Sequence, residues 1–305
     1  MSRIPGIQIE ELYAKYDLHP QLMDLYVEGE FDRDFLSNFF AVRGLSTVVS
    51  IMTISTVEVP REALVSNSLP TGSNKHLLIA LALLFQQRLA KQPLNVSCIV
   101  DADQDRLLQK TTTSKHLLYT DYNCMEMYCL NQVALSKFLI LTCNLSSEQL
   151  TNFSPLAMTV LPTKFCVRAL NEELSLGAVT PDFTKGLADR RAFTHFEPQL
   201  YVDAFIARNE LYRRAGEVKA SFERLSANLP SDLRHKSHGH DFVELLFSYA
   251  ERCGSFMFHD KENAIHKHGG RLLSGVVETA DIFTESLFAK IESAINVKGF
   301  LWADT

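Results

Sequence analysis

Apolar and polar positions follow two patterns along the chain. Between residues 23 and 141, short solid apolar runs are separated by segments of helical period. Met23–Val27 (MDLYV), Val96–Val100 (VSCIV) and His116–Thr120 (HLLYT) are such runs, of a length suited to strands buried on both faces. Glu28-Gly29 stops the first run. Phe31, Phe35, Phe39 and Phe40 then recur at helical spacing and predict a helix over Glu30–Phe40. Leu45–Val59 is rich in Val, Ile and Thr and predicts extended chain. Pro70-Thr71-Gly72-Ser73-Asn74 is a loop leading into a helix over Lys75–Ala90, and Cys124–Leu141 predicts a further helix. Strands separated by helices imply an α/β fold, a parallel sheet with helices on its faces.

Asn144–Pro155 (NLSSEQLTNFSP) is polar and turn-rich and marks a boundary. Beyond it, residues 156–174, 199–227, 240–253 and 271–296 carry helical periodicity with few strand-like runs. The expected organisation is an α/β domain over residues 1–145 and a mostly α-helical C-terminal domain over 146–305. No internal repeat is visible.

Composition narrows the possibilities. The chain has 305 residues, 46% of them apolar and 22% charged, an ordinary globular balance. Its most apolar stretch, Leu77–Phe85, falls short of the ~20 residues that span a bilayer, so no membrane association is expected. No charged-then-apolar signal segment opens the sequence, which implies a cytoplasmic protein. Cysteines 98, 124, 129, 143, 166 and 253 form no Cys-x-x-Cys pair, and most sit in apolar runs, as buried free thiols of a reducing compartment do. Thirty Lys and Arg against 36 Asp and Glu give a net charge of −6. A basic footprint for nucleic acid is absent overall, so such a partner would need a local basic groove or a metal ion.

The candidate chemistry is acidic. In open parallel sheets ligands sit beyond the carboxyl ends of the strands. Glu28 follows the first strand (VEGEFD), Asp101 and Asp103 follow the central one (IVDADQD), and Asp121 follows the next (YTDYNCMEMY), with Glu126 opening the helix after it. Crowded like charges repel unless a cation neutralises them. Hard oxygen ligands suit Mg²⁺ or Mn²⁺ and not zinc. Asp101 and Asp103 straddle one residue, so on an extended strand both face one side and can share a metal. Glu28 serves as ligand or general base, Asp101 and Asp103 as ligands, and Asp121 and Glu126 support a second ion or orient the first set. Glu30 and Asp32 read as a solvated helix start favoured by the helix dipole.

The strand–Glu-Gly–helix order followed by Asp-x-Asp after a later strand resembles the TOPRIM fold of topoisomerases, primases and OLD-type nucleases. In that family the Glu and the Asp-x-Asp bind divalent metal and carry phosphoryl-transfer chemistry. More narrowly, VEGEFDRDFL, GSNKHLLIALALLF, IVDADQD, YTDYNCMEMYCL and HGHDFVELL are similar to the AriB family, the TOPRIM effector subunits of PARIS anti-phage systems. The resemblance covers the first ~140 residues, with HGHDFVELL the main support in the helical half. It implies an effector held by an ABC-type ATPase (AriA-like) and released as a homodimer to cleave host tRNA. One position departs: Asp-Ala-Asp stands where relatives often carry Asp-Arg-Asp, which puts a substrate contact in doubt more than metal binding. The expectation is an Mg²⁺-dependent endonuclease acting on RNA. The alternative is a non-catalytic Mg²⁺-binding interaction or sensor module.

Other features fit blander readings as well. His235, His238 and His240 lie in RHKSHGHD, where a solvated helix cap with Asp241 competes with zinc ligation; the resemblance adds Lys236 or His240 as an RNA phosphate contact, or His240 as a proton donor. His259, His266 and His268 read as a polar loop. Arg208, Arg213, Arg214, Lys219 and Arg224 form the densest basic stretch, interleaved with Glu210, Glu217 and Glu223. That is a salt-bridged solvated helix, or a face tracking phosphate with Arg213 and Arg214 foremost. Gly72-Ser73-Asn74-Lys75 lacks the P-loop frame, so the chain itself is not expected to hydrolyse ATP.

Overall fold

Strands that are apolar along both faces need cover on both sides, and a parallel sheet with helical crossovers supplies it. The computed structural model describes residues 6–89, 96–189, 193, 195–254 and 269–297. The chain forms two units, and neither is one continuous stretch. The first comprises Met1–Ala102, Thr112–Asp121 and Glu278–Thr305; the second comprises Asp103–Thr111 and Tyr122–Val277. The division expected near residue 145 is therefore not where the units part. His259, His266 and His268 lie outside the described residues.

In the first unit β2 (Met23–Val27), β3 (Val49–Thr53), β5 (Val96–Val100) and β6 (Leu117–Tyr119) form a parallel sheet in the order β3-β2-β5-β6. Val27 aligns with Thr53, Tyr26 with Cys98 and Val100 with Tyr119. All five residues of β2 and of β5 are buried, as the solid apolar runs require. Two short strands, β1 (Ile7–Gln8) and β4 (Val57–Glu58), pair in parallel apart from this sheet. The Leu45–Val59 run is thus two strands separated by a 3₁₀ turn, Ile54–Thr56.

Helices α1 (Ile9–Leu18), α2 (Glu30–Val42), α3 (Arg61–Ser66) and α4 (Asn74–Arg88) belong to this unit. α4 is apolar around most of its circumference, with Leu78, Ile79, Leu81, Ala82 and Phe85 buried, the signature of a core helix. Phe85 meets Tyr16 edge-on at 5.6 Å, and the Tyr16 and Tyr26 hydroxyls lie 2.9 Å apart. The C-terminal helices α12 (Thr279–Ile282) and α13 (Ser286–Val297) complete the unit. Phe288 packs on Phe39 at 4.4 Å, and the Arg43 guanidinium sits 3.9 Å from the Phe283 ring centre.

The second unit is helical: α5 (Asp105–Leu108), α6 (Gln132–Lys137), α7 (Ser147–Glu173), α8 (Pro198–Arg208), α9 (Ala215–Ala227), α10 (Gly239–Arg252) and a helical segment over 269–274, α11. α7 packs against α8, α9 and α10. It begins inside the expected Asn144–Pro155 loop. Ser146 and Gln149 make a reciprocal capping box, Ser146 Oγ accepting the Gln149 N–H at 3.2 Å and Gln149 Oε1 the Ser146 N–H at 2.8 Å. The helix continues through Pro155 and Pro162, and the Thr159 and Thr163 hydroxyls bond back to the carbonyls of Pro155 and Thr159.

The helix expected over Cys124–Leu141 is three pieces: a 3₁₀ turn at Met125–Cys129, then α6, then a π-helical turn at Phe138–Thr142. Asn131 restarts the helix, its side chain accepting the Ala134 N–H at 2.7 Å. The cysteines are free, five buried and Cys253 half-buried. Burial pushes the Cys143 and Cys166 thiols up to about 11, away from the thiolate form that nucleophilic chemistry needs. No helix among the described residues is long and apolar enough to cross a membrane.

Candidate functional site

The sheet order decides where a ligand belongs in the first unit. From β2 the chain moves to β3 on one side; from β5 it moves to β6 on the other. The connections leaving β2 and β5 therefore diverge, and a crevice opens beyond the carboxyl ends of these two neighbouring strands. Glu28 is the first residue after β2 and Asp101 the first after β5. The structure brings these two together: the Asp101 N–H donates to Glu28 Oε1 at 2.9 Å. Both residues are half-buried.

The surroundings hold this rim in place. Asn74, at the first turn of α4, donates through Nδ2 to the Glu28 carbonyl at 2.9 Å. Asp32 accepts the Gly29 N–H at 3.0 Å and so caps α2; it is buried and not the solvated helix start expected of it. On the β5 side the Thr120 hydroxyl accepts the Ala102 N–H at 3.1 Å, which fixes the chain just past Asp101.

Asp103 belongs to the second unit, and its backbone is left-handed, with φ of 43°. The extended geometry that puts Asp101 and Asp103 on one face is therefore absent, because the chain turns sharply after β5. Asp121 stays in the first unit, where its Oδ2 accepts the Leu287 N–H at 2.9 Å in the first turn of α13. That is the work of a helix cap. Glu126 lies in the second unit beside the start of α10: a Cβ added at Gly239 would meet its Oε2 at 2.5 Å and Cys124 Sγ at 2.9 Å. A carboxylate at a helix N-terminus is stabilised by the helix dipole. Among the described residues no three His, Cys, Asp or Glu side chains are gathered as a metal-holding group, RHKSHGHD included.

The basic stretch is largely committed to ion pairs. Arg214 pairs with Glu217 at 2.7 Å, Lys219 with Asp203 at 2.8 Å and Arg224 with Glu173 at 2.5 Å. Arg213 is exposed at the 3₁₀ turn before α9, His240 is exposed on the first turn of α10, and Lys236 is half-buried.

Sequence reasoning missed a buried electrostatic cluster in the second unit. Asp241, expected as a solvated cap, is only 2% exposed. Its two oxygens accept from Arg168 Nε and Nη2, both at 2.8 Å, and Lys164 Nζ lies 2.9 Å from Oδ1 and 2.8 Å from Glu244 Oε2. Burial alone would raise the Asp241 carboxyl, but Arg168 and Lys164 outweigh it and hold the group well below the usual carboxylate range. Burial likewise opposes the Lys164 charge, and Asp241 and Glu244 reverse that and raise its pKa. Next to the cluster, burial lowers the His238 imidazole, with Asp241 the main opposing charge. The signal was available: Lys164 and Arg168 are cations one helical turn apart inside an otherwise apolar run, TKFCVRAL.

Neither a family model nor a curated protein matches this chain.

Proposed function

We propose that the first unit is a divalent-metal-dependent nuclease centre whose acidic pair is Glu28 and Asp101. The observation that carries the reading is their meeting at the crevice between β2 and β5, where the strand order reverses. The donor chemistry fits: Mg²⁺ keeps several waters and takes one or two protein carboxylates, with substrate phosphates completing its shell. Two carboxylates on adjacent strands supply that number without a third protein ligand. When bound, the ion supplies Lewis-acid polarisation of a phosphodiester. Glu28 and Asp101 hold the ion, the Asp101 amide orients Glu28, and Asn74 fixes the backbone from which Glu28 projects. On the resemblance, the substrate is host tRNA, the active form a homodimer and the restraining partner an ABC-type ATPase.

The test uses the purified full-length chain with RNA and Mg²⁺ or Mn²⁺. Glu28→Gln keeps an oxygen for the Asp101 amide but removes the charge, so the fold should persist while cleavage falls about 100-fold or more. Retained cleavage removes Glu28 from the chemistry. The pair of carboxylates, with no third ligand gathered among the described residues, also suits a module that binds Mg²⁺ without chemistry. Mn²⁺ titrated calorimetrically onto wild type and Glu28→Gln, with intact RNA in both, would select that reading.

A further inference from the structure

The second unit contains a cleft of about 510 Å³ lined by Asp103, Asn123, Phe165 and Leu225 among others, separate from the ion-pair cluster of Asp241. Its lining mixes apolar Leu107, Leu108, Phe165, Leu225 and Pro230 with a majority of polar residues, and a cleft of this size suits a small organic group that is part apolar and part polar. Leu107 and Leu108 of α5 form half-buried apolar wall, with Phe165 of α7 and Leu225 of α9, each 1% exposed, behind them.

One polar group is set rigidly into this wall. Asn123 is 2% exposed, and three hydrogen bonds lock it: its N–H donates to the Arg234 carbonyl at 3.2 Å, its carbonyl accepts the Asp103 N–H at 2.7 Å, and Nδ2 donates to the Ser237 carbonyl at 3.1 Å. Because the amide is pinned through its nitrogen, it cannot rotate, and Oδ1 has no donor among the described residues. An amide oxygen fixed in this way on the cleft lining can accept from a ligand that brings an N–H. Exposed Arg106 and Arg224 also line the cleft, Arg224 alongside its partner Glu173. With Asp103 and Glu173 present, a bare anion is disfavoured. A neutral ring that carries its phosphate to the arginines is not.

We propose that this cleft seats one unstacked nucleobase bearing an exocyclic amine, from a single-stranded nucleic acid, with the amine on Asn123 Oδ1 and the attached phosphate at Arg106 and Arg224. The apolar part of the lining accepts the face of a splayed-out base, and a fixed acceptor selects its edge. The assignment of the occupant as substrate rests on the nuclease reading; the binding itself does not.

The experiment titrates CMP and UMP onto the full-length chain by saturation-transfer NMR. CMP should bind about tenfold more tightly than UMP, since UMP offers a carbonyl where CMP offers an amine. Leu108→Trp fills the slot at a half-buried position and should weaken CMP at least about tenfold with an unchanged melting temperature. Should that variant unfold, Arg224→Ala is the second probe, weakening CMP while leaving cytidine unchanged. Equal binding of CMP and UMP, no binding of either, or a folded Leu108→Trp with wild-type affinity overturns the proposal. Glu28→Gln should bind CMP as wild type does; if that variant still cuts RNA, Glu28 leaves the chemistry, and if neither wild type nor variant cuts RNA, the nuclease reading falls while the cleft assignment stands on its own binding data.

Discussion

Glu28 and Asp241 are both carboxylates drawn in from solvent, and the two units treat them in opposite ways. Asp241 is almost wholly buried and meets two cations from α7, Arg168 bidentately and Lys164 end-on. Its charge is cancelled by groups that belong to the fold. Glu28 stands half-buried at a strand end and is oriented by the Asp101 amide, a dipole that directs a carboxylate without cancelling its charge. The lesson is that burial and a perturbed pKa do not by themselves mark a reactive centre. The Asp241 carboxyl, held well below the usual range, closes an ion pair between α7 and α10, while the proposed metal pair sits where the topology opens a crevice.

The contrast can be broken by mutation. Asp241→Asn takes the bidentate partner from Arg168 and leaves buried Lys164 with Glu244 alone, and should cost about 3 kcal/mol in urea unfolding, whereas Glu28→Gln should cost less than about 1 kcal/mol. Equal costs would end the distinction between a carboxylate that serves folding and one that serves a ligand. Gly239→Ala comes next: its Cβ would press on Glu126 and Cys124, and a loss of about 1–3 kcal/mol is expected, measured by the same unfolding curves. A neutral outcome would mean that Glu126 swings aside and has no fixed place against α10. Asp121→Ala should remove the cap of α13 for about 1 kcal/mol and leave Mn²⁺ binding unchanged. A lost metal signal in that variant would return Asp121 to the metal set.

Much of this architecture was legible because strands buried on both faces leave solid apolar runs. MDLYV and VSCIV correspond to β2 and β5 without adjustment of either end. Glu28 and Asp101 were legible for the same reason, since a strand's last apolar residue marks the rim where the next polar one stands. The failures have local causes. SSEQ is polar and reads as loop, yet Ser146 and Gln149 form the capping box that starts α7. The Cys124–Leu141 period hid an Asn restart at Asn131. Asp103 was placed by strand geometry that ends at Val100, and no pattern of side chains announces a left-handed backbone at the third residue beyond. Nor could the chain order show that residues near the C-terminus return to the first unit, because Phe288 meets Phe39 only through the fold.

Acid should separate the two kinds of charge by a smaller but signed effect. Burial lowers His238, Arg168 and His240 add to that, and Asp241 and Asp103 oppose it. The unfolded chain therefore takes up this proton near pH ~6.5 while the folded chain takes it lower, so stability declines as pH falls below about 6.5. Asp241 acts in a second stage. Its folded carboxyl is depressed, so its contribution is whole above about pH 5 and drains away at lower pH, as the unfolded carboxyl near ~3.9 gains its proton first. His238→Gln should flatten the first stage of a urea-midpoint profile and leave the second. Asp241→Asn should do the reverse and steepen the first, since losing the negative charge beside His238 depresses that imidazole further. If Asp241→Asn flattens both stages, the two groups titrate as one unit and the opposition between them is not the one the contacts describe.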